Sequence, residues 1–197
     1  QDRELYGRIL EISSPWEVTE VELKRELREV EVRVEWQASS ALVCPECGRE
    51  CPGYDRRERR WRHLDTCQYK TILNAVVPRV QCPEHGIQHV STPWAAAGSR
   101  FTALFERLAI DWLREASTAA VAEQLGLSWK ETDGIMQRAV SRGLARRARQ
   151  EPKRLGLDET SFQKRHEYVT VITDIQNGIV LDVLDDRKQE TLEKRLK

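Results

Sequence analysis

The sequence predicts an α+β chain made of several small domains. Three observations point there: apolar and charged residues alternate with a period of two near both ends, cysteine and histidine crowd residues 44–98, and apolar residues recur every three or four positions after 100. The expected divisions are a β-hairpin over 1–40, a zinc-ribbon-like module over 41–98, a helix-turn-helix module over 99–151, and an α/β unit over 152–197 of which three strands are present.

The first strands are expected at 17–23 and 29–36. In the second, Val30, Val32, Val34 and Trp36 fall on one face and Glu31, Arg33 and Glu35 on the other. Lys24, Arg25 and Glu26 form the polar joint of an antiparallel pair. Residues 44–98 hold all five cysteines and lack long apolar periods, so metal is the natural organiser there, with a small sheet expected from 61–64 and 72–79. Phe101, Leu104, Phe105, Leu108, Ala109, Trp112 and Leu113 trace an amphipathic helix with Ser99 as its N-cap. A second helix over 118–125 stops at Gly126, and a third starts near Trp129 and runs to about Gln150, before Glu151 and Pro152. Strands return at 154–158, 168–174 and 179–184, the last two joined through Asn177-Gly178, and Asp186 starts a further helix.

No apolar stretch approaches the roughly 20 residues that span a bilayer. Lys plus Arg and Asp plus Glu both number 32, so global charge gives no sign of a nucleic-acid partner and the local distribution has to carry that case. The chain opens at Gln1 without an apolar leader, and an odd number of cysteines with a two-residue spacing suits a metal knuckle in a reducing compartment; a cytosolic protein is expected.

Four constellations carry chemistry. Cys44 and Cys47 pair with Cys82 and His85, each half setting two borderline ligands two residues apart, which suits a closed, structural tetrahedral zinc site. Cys51, His63 and Cys67 stand in reserve, with buried thiols and a surface histidine as the plainer reading. Arg56, Arg57, Arg59, Arg60 and Arg62 surround Trp61, a set able to clamp phosphate and stack on a base, although a solvated charge run has the same composition. The stretch 117–132 has the small residues and central glycine of a helix-turn-helix, with Ser128, Trp129, Lys130, Thr132 and Asp133 as outward readers of a major groove. Beyond it Arg138, Arg142, Arg146, Arg147, Arg149, Lys153 and Arg154 face a lone Glu151, a basic run that favours DNA over simple helix packing. Finally, Asp158 follows a short apolar strand, a position from which a carboxylate can hold a divalent metal, while Glu159 points to the opposite face.

In this order the pieces resemble the bacterial insertion-sequence transposases of the ISL-three type. The likeness runs from about Cys44 and rests on the two knuckles, Arg60-Trp61-Arg62-His63-Leu64-Asp65, Pro78-Arg79-Val80, Pro93-Trp94-Ala95, Ser99-Arg100-Phe101, the helix-turn-helix, and Gly156-Leu157-Asp158-Glu159 followed by Tyr168-Val169-Thr170-Val171. It implies a zinc finger, a helix-turn-helix and the start of a ribonuclease-H-like DDE catalytic domain, with Asp158 the first of three acidic ligands for Mg2+ or Mn2+. The second Asp and the Glu of the family lie beyond the strand hairpin, so a fragment of a longer transposase is expected, inactive alone in strand transfer. The partner implied is double-stranded DNA, the inverted repeats of the element, in a bacterial cytoplasm and at the nucleoid, with self-association into an oligomer open. A truncated DNA-binding regulator and a zinc-stabilised protein-interaction module are the rival readings.

Overall fold

A computed structural model describes residues 1–148, 152–163 and 167–196. The chain divides into two compact units, Gln1–Gly143 and Leu144–Lys197. Among the described residues it is mixed α+β, with two sheets and five helices, and no helix is long and apolar enough to cross a membrane.

The first unit opens with helix α1 (Asp2–Ile9), which the sequence reading did not anticipate. Eight residues with Leu5 and Ile9 exposed among charges give no apolar stripe to read. Strands β1 (Trp16–Lys24) and β2 (Glu29–Trp36) form the expected antiparallel pair, and alternation in β2 buries Val30, Val32 and Val34. Strands β3 (Gly53–Thr66) and β4 (Tyr69–Cys82) follow as a long antiparallel hairpin, and the short β5 (Gly86–His89) pairs with the end of β4.

All five strands share one sheet in the order β1-β2-β4-β3, with β5 beside β4. The joint is parallel: β2 pairs with β4 from Glu29 opposite Lys70 through Val34 opposite Ala75. The N-terminal hairpin and the cysteine module are therefore one layer. Because β4 is flanked on both sides, Thr71, Ile72, Leu73, Ala75, Val77 and Val80 are all buried, the near-continuous run typical of an interior strand. Its core is aromatic: Trp94 meets Trp16 and Trp61 edge-on at centroid distances of 4.9 and 5.5 Å.

Helices α2 (Ala103–Leu113), α3 (Thr118–Leu125) and α4 (Trp129–Arg146) follow, the last turn of α4 passing the end of the first unit at Gly143. The cap of α2 corrects the sequence expectation: Thr102 caps it by accepting from Phe105 N, three residues later than Ser99. Phe101 lies outside the helix and bridges to Arg62, because the edge of β3 captures the incoming chain through Arg62 N to Arg100 O (2.9 Å) and Thr102 N to Arg62 O (3.0 Å). Ser117 caps α3, and Gly126, at φ 63°, ends it in the left-handed conformation that favours glycine. Ser128 and Glu131 then form a reciprocal box at the start of α4, Ser128 N donating to Glu131 Oε2 (2.9 Å) and Glu131 N to Ser128 Oγ (3.2 Å). Phe105, Ala109 and Ile135 are the buried centre of this helical cluster.

The second unit holds strands β6 (Leu155–Gln163), β7 (Glu167–Asp174) and β8 (Ile179–Leu184) in an antiparallel sheet of that order, followed by α5 (Gln189–Leu196). Asp174 is buried and closes the β7–β8 turn by accepting from the backbone of Gln176 and Asn177 and from Asn177 Nδ2 (2.7 Å). Gly156 is a close approach: a Cβ there would come within 2.6 Å of Thr173 Oγ1.

Candidate metal centre and nucleic-acid interface

Two turns bring Cys44, Cys47, Cys82 and His85 together, their ligand atoms all within 4.8 Å of one another. Cys44 follows the bridge that joins Val43 to Glu50, and Gly48, at φ 69°, turns the chain back so that Gly48 N reaches Cys44 O. Cys82 ends β4, and Gly86, at φ 68°, makes the matching turn into β5. Cys47 Sγ lies 3.8 Å from Cys82 Sγ, and His85 Nδ1 lies 3.5 Å from Cys82 Sγ and 3.8 Å from Cys44 Sγ. A tetrahedral zinc with metal–sulfur and metal–nitrogen bonds of about 2.3 and 2.0 Å would separate its ligands by about 3.5 to 3.8 Å, the range of these three distances, and the whole quartet lies within 4.8 Å, so the donor set suits that ion. Burial works to raise the Cys82 thiol, but the backbone of His85 and Glu84 and the His85 ring outweigh it and bring the thiol down to about 6. Two ligands are buried and two exposed, and Arg49 pairs with Glu84 across the knuckles at 2.6 Å.

The reserve candidates are placed elsewhere. Cys51 is buried in the sheet core and its thiol is pushed up, chiefly by burial; Cys67 is exposed in the β3–β4 turn. His63 is buried instead of lying at the surface, with Nδ1 2.9 Å from Thr102 Oγ1. Burial, then the Arg62 charge, lowers its pKa from 6.5 to about 4. Between those two values the unfolded chain binds the extra proton, so stability should rise with pH across that window and be independent of His63 above it. Urea midpoints measured from pH 4 to 7 check this; a His63→Asn variant with the same slope as the parent would rule it out.

The arginine run lies on edge strand β3, whose pleat divides it. Arg57 and Arg59 share a face with Trp61 and His63, while Arg56, Arg60 and Arg62 take the other. Several are engaged within the chain: Arg57 with Asp55 (3.4 Å), Arg60 with Glu29 (2.9 Å), Arg62 with Asp65 (2.5 Å) and, 5.3 Å away, the ring of Phe105. Arg59 lies 5.8 Å from the centre of Trp61, which is buried in the aromatic core and so is placed for packing, not for stacking on a base. Arg56 is exposed.

On α4 the outward residues are Ser128, Trp129 and Lys130, with Trp129 63 % exposed, and Asp133 is half-buried. Thr132 corrects the expectation of an outward reader: it is fully buried and its hydroxyl donates to Ser128 O at 3.1 Å, because position 132 falls on the stripe that carries Ile135 into the core. Arg138 and Arg142 turn toward α2, where they clasp Glu106 at 2.7 and 3.1 Å. Glu106 is 3 % exposed and also accepts from the buried Ser99 hydroxyl at 2.8 Å. Sequence reasoning missed it, since an acid on an apolar helix reads as a solvent-side residue and its two arginine partners lie more than 30 positions away. Arg146 is exposed and ends α4, short of the end near Gln150 that the Glu151-Pro152 pair suggested; Arg147 already leaves the helix and donates to the carbonyls of Val180 and Leu181, and Arg149 lies outside the described residues.

Asp158 is exposed on edge strand β6, opposite Val171, and among the described residues it belongs to no group of three or more metal-ligating side chains.

Three family matches fall on this architecture in order. Residues 41–85 match the zinc-finger of transposase IS204/IS1001/IS1096/IS1165, residues 90–140 the helix-turn-helix domain of transposase family ISL3, and residues 155–197 the ISL3 DDE transposase family. Among curated proteins, the transposase for insertion sequence element IS1557 of Mycobacterium tuberculosis is 35% identical over 150 residues, covering 74% of this chain and 34% of that protein. The transposase for IS1001 of Bordetella parapertussis is 24% identical over 155 residues, 78% of this chain and 38% of its own length. The chain thus spans little more than a third of the length of these relatives. No solved structure matches it significantly.

Proposed function

Because the chain belongs to the ISL3 family of insertion-sequence transposases, we propose that it is the DNA-gripping part of such an enzyme. In the whole protein it would hold the terminal inverted repeats through the zinc module and the helix-turn-helix, in the bacterial cytoplasm and at the nucleoid. The observation that carries this reading is the start of α4: a capped helix after a left-handed glycine turn, with Ser128, Trp129 and Lys130 facing outward and Asp133 beside them. Exposed Arg56 and Arg146 supply further sequence-independent charge.

Cys44, Cys47, Cys82 and His85 would hold zinc as a closed structural ion, fixing the turns that flank β4. The sheet of β6, β7 and β8 would be the opening of a ribonuclease-H-like domain with Asp158 as its first acidic ligand. Mg2+ or Mn2+, when held there with further carboxylates, would activate a water or 3′-hydroxyl and steady the leaving oxygen. Asp158 offers one hard oxygen donor on an open strand, a fit to such an ion but not a complete site among the described residues. That favours, for this chain alone, binding without cutting, the behaviour of a regulator that occupies the element's ends.

The test is a titration of zinc-loaded chain against duplex DNA at several salt concentrations. Binding should weaken steeply as salt rises, by a slope of about 0.9 for each phosphate neutralised. Affinity that is weak and indifferent to salt would sink the reading, and cleavage of a supercoiled plasmid by this chain would overturn the non-catalytic assignment.

A further inference from the structure

We infer that the cavity between the first knuckle and β5 takes one unpaired nucleotide of a DNA strand; the inference rests on the DNA-binding reading above and names a second kind of contact for it. The cavity is about 270 Å³ and opens where Glu46, Arg59, Trp61, Val77, His89 and Ala97 approach one another. That is the volume of about nine liquid waters at about 30 Å³ each, room for a single base.

Its floor is apolar and its rim is charged. Trp61, fixed in the aromatic core, Val77 and Val90 are all buried beneath it. On the rim, Arg59 and Glu46 form no ion pair or hydrogen bond among the described residues, either with each other or elsewhere. The neighbouring cations are already engaged. Arg79 closes on Asp55 through hydrogen bonds of 2.6 and 2.5 Å, and Arg57 lies 3.4 Å from the same carboxylate. Arg59 is therefore the cation left to answer a ligand, half-buried and 5.8 Å from the centre of the Trp61 ring. Burial, then the charges of Arg59 and Arg79, hold the pKa of His89 below its usual value, so at neutral pH its ring offers one donor and one acceptor. On the far side, the backbone N–H groups of Ala96, Ala97 and Gly98 donate to no carbonyl among the described residues.

A bare phosphate would meet Arg59 and leave the apolar floor unfilled. An apolar side chain would fill the floor and bury charge on the rim without a partner. A nucleotide answers both parts: its base has flat apolar faces for the floor and polar edges for Glu46 and His89, and its phosphate suits the guanidinium of Arg59. A paired base could enter only after leaving its stack and its partner, a step that an unpaired one does not need, so the cavity favours a strand end or a melted stretch over intact duplex.

The experiment measures the affinity of the zinc-loaded chain for a blunt duplex, for the same duplex carrying a short single-stranded tail on either strand, and for that tail built from abasic sites. The tailed duplex should bind about tenfold tighter than the blunt one, toward the lower end of what one bound base contributes, and the abasic tail should bring no gain. Arg59→Gln should remove most of the gain, and Ala97→Phe, which fills the cavity from its exposed rim, should remove it too; both should leave affinity for the blunt duplex unchanged. A parent chain that binds duplex but gains nothing from a tail overturns the cavity assignment and spares the DNA reading. A gain that survives loss of the bases, or that both variants keep, overturns it as well, as plain attraction to the backbone. If a free nucleoside monophosphate raises the melting temperature of the parent while tails bring no gain, the cavity takes a free nucleotide and the strand assignment falls. Failure of the parent to bind any duplex removes the reading on which it stands.

Discussion

Changing Cys82 to Ser should abolish tight zinc binding and unravel both knuckles. Cys82 is the buried centre of the quartet, 3.8 Å from Cys47 Sγ and 3.5 Å from His85 Nδ1, and it anchors the end of β4 to the turn that leads into β5. Structural zinc contributes about 10 to 16 kcal/mol of apparent binding energy in finger peptides, and that energy is coupled to folding. Here the tryptophans Trp16, Trp61 and Trp94 also pack on one another and on the strands, so chelation should melt residues 41–52 and 82–90, β5 included, first and leave β1 to β4 standing. Zinc stoichiometry by a chromogenic chelator, with near-ultraviolet circular dichroism to follow the tryptophans, reads both parts. Cys51→Ser should retain one zinc per chain. A Cys82→Ser protein that retains it as well would dismiss the ligand assignment.

Truncating Glu106 to Ala should be the most damaging single change among the helices. It would leave the guanidinium groups of Arg138 and Arg142 and the hydroxyl of Ser99 without their shared acceptor in a buried place. Breaking a fully buried ion pair from one side costs about 3 to 5 kcal/mol; with Arg138 and Arg142 31 % and 43 % exposed, water takes up part of the surviving charge and a loss of about 1 to 3 kcal/mol is expected. Glu106→Leu combined with Arg138→Met should recover a good part of that loss, since removing both charges removes the penalty. Urea denaturation of the single and double variants decides it: a Glu106→Ala midpoint shifted no further than by a surface substitution would show that the cluster is not a structural hinge-pin. The same variant should also weaken duplex binding, because Arg138 and Arg142 orient α4 against α2.

The strands with clean alternation were legible because burial of one face imposes a period of two: 29–36 is β2 to the residue, and Asn177-Gly178 marks the β7–β8 turn. That Cys44, Cys47, Cys82 and His85 come together was legible because two residues between candidate ligands is a local geometric demand. What was hidden depended on distant partners. Nothing in Thr102 distinguishes it as a cap from Ser99 until β3 fixes where the chain enters α2. Thr132 looks like a polar reader until the phase of α4 is set by Ile135. The arginines of β3 look like a single basic patch until the pleat separates them and Glu29, Asp55 and Asp65 claim several. Pairing between β2 and β4 leaves no local trace, because parallel neighbours need no connecting turn.

That parallel pairing has a consequence for how the polypeptide matures. β2 finds its partner only after the intervening stretch up to Lys70 has been made and looped back, a long-range closure of the kind that slows assembly. An ion captured by the two knuckles would shorten the wandering segment before β2 docks. Metal supply during synthesis would then govern how fast the newborn chain escapes aggregation, over and above how stable the finished protein is.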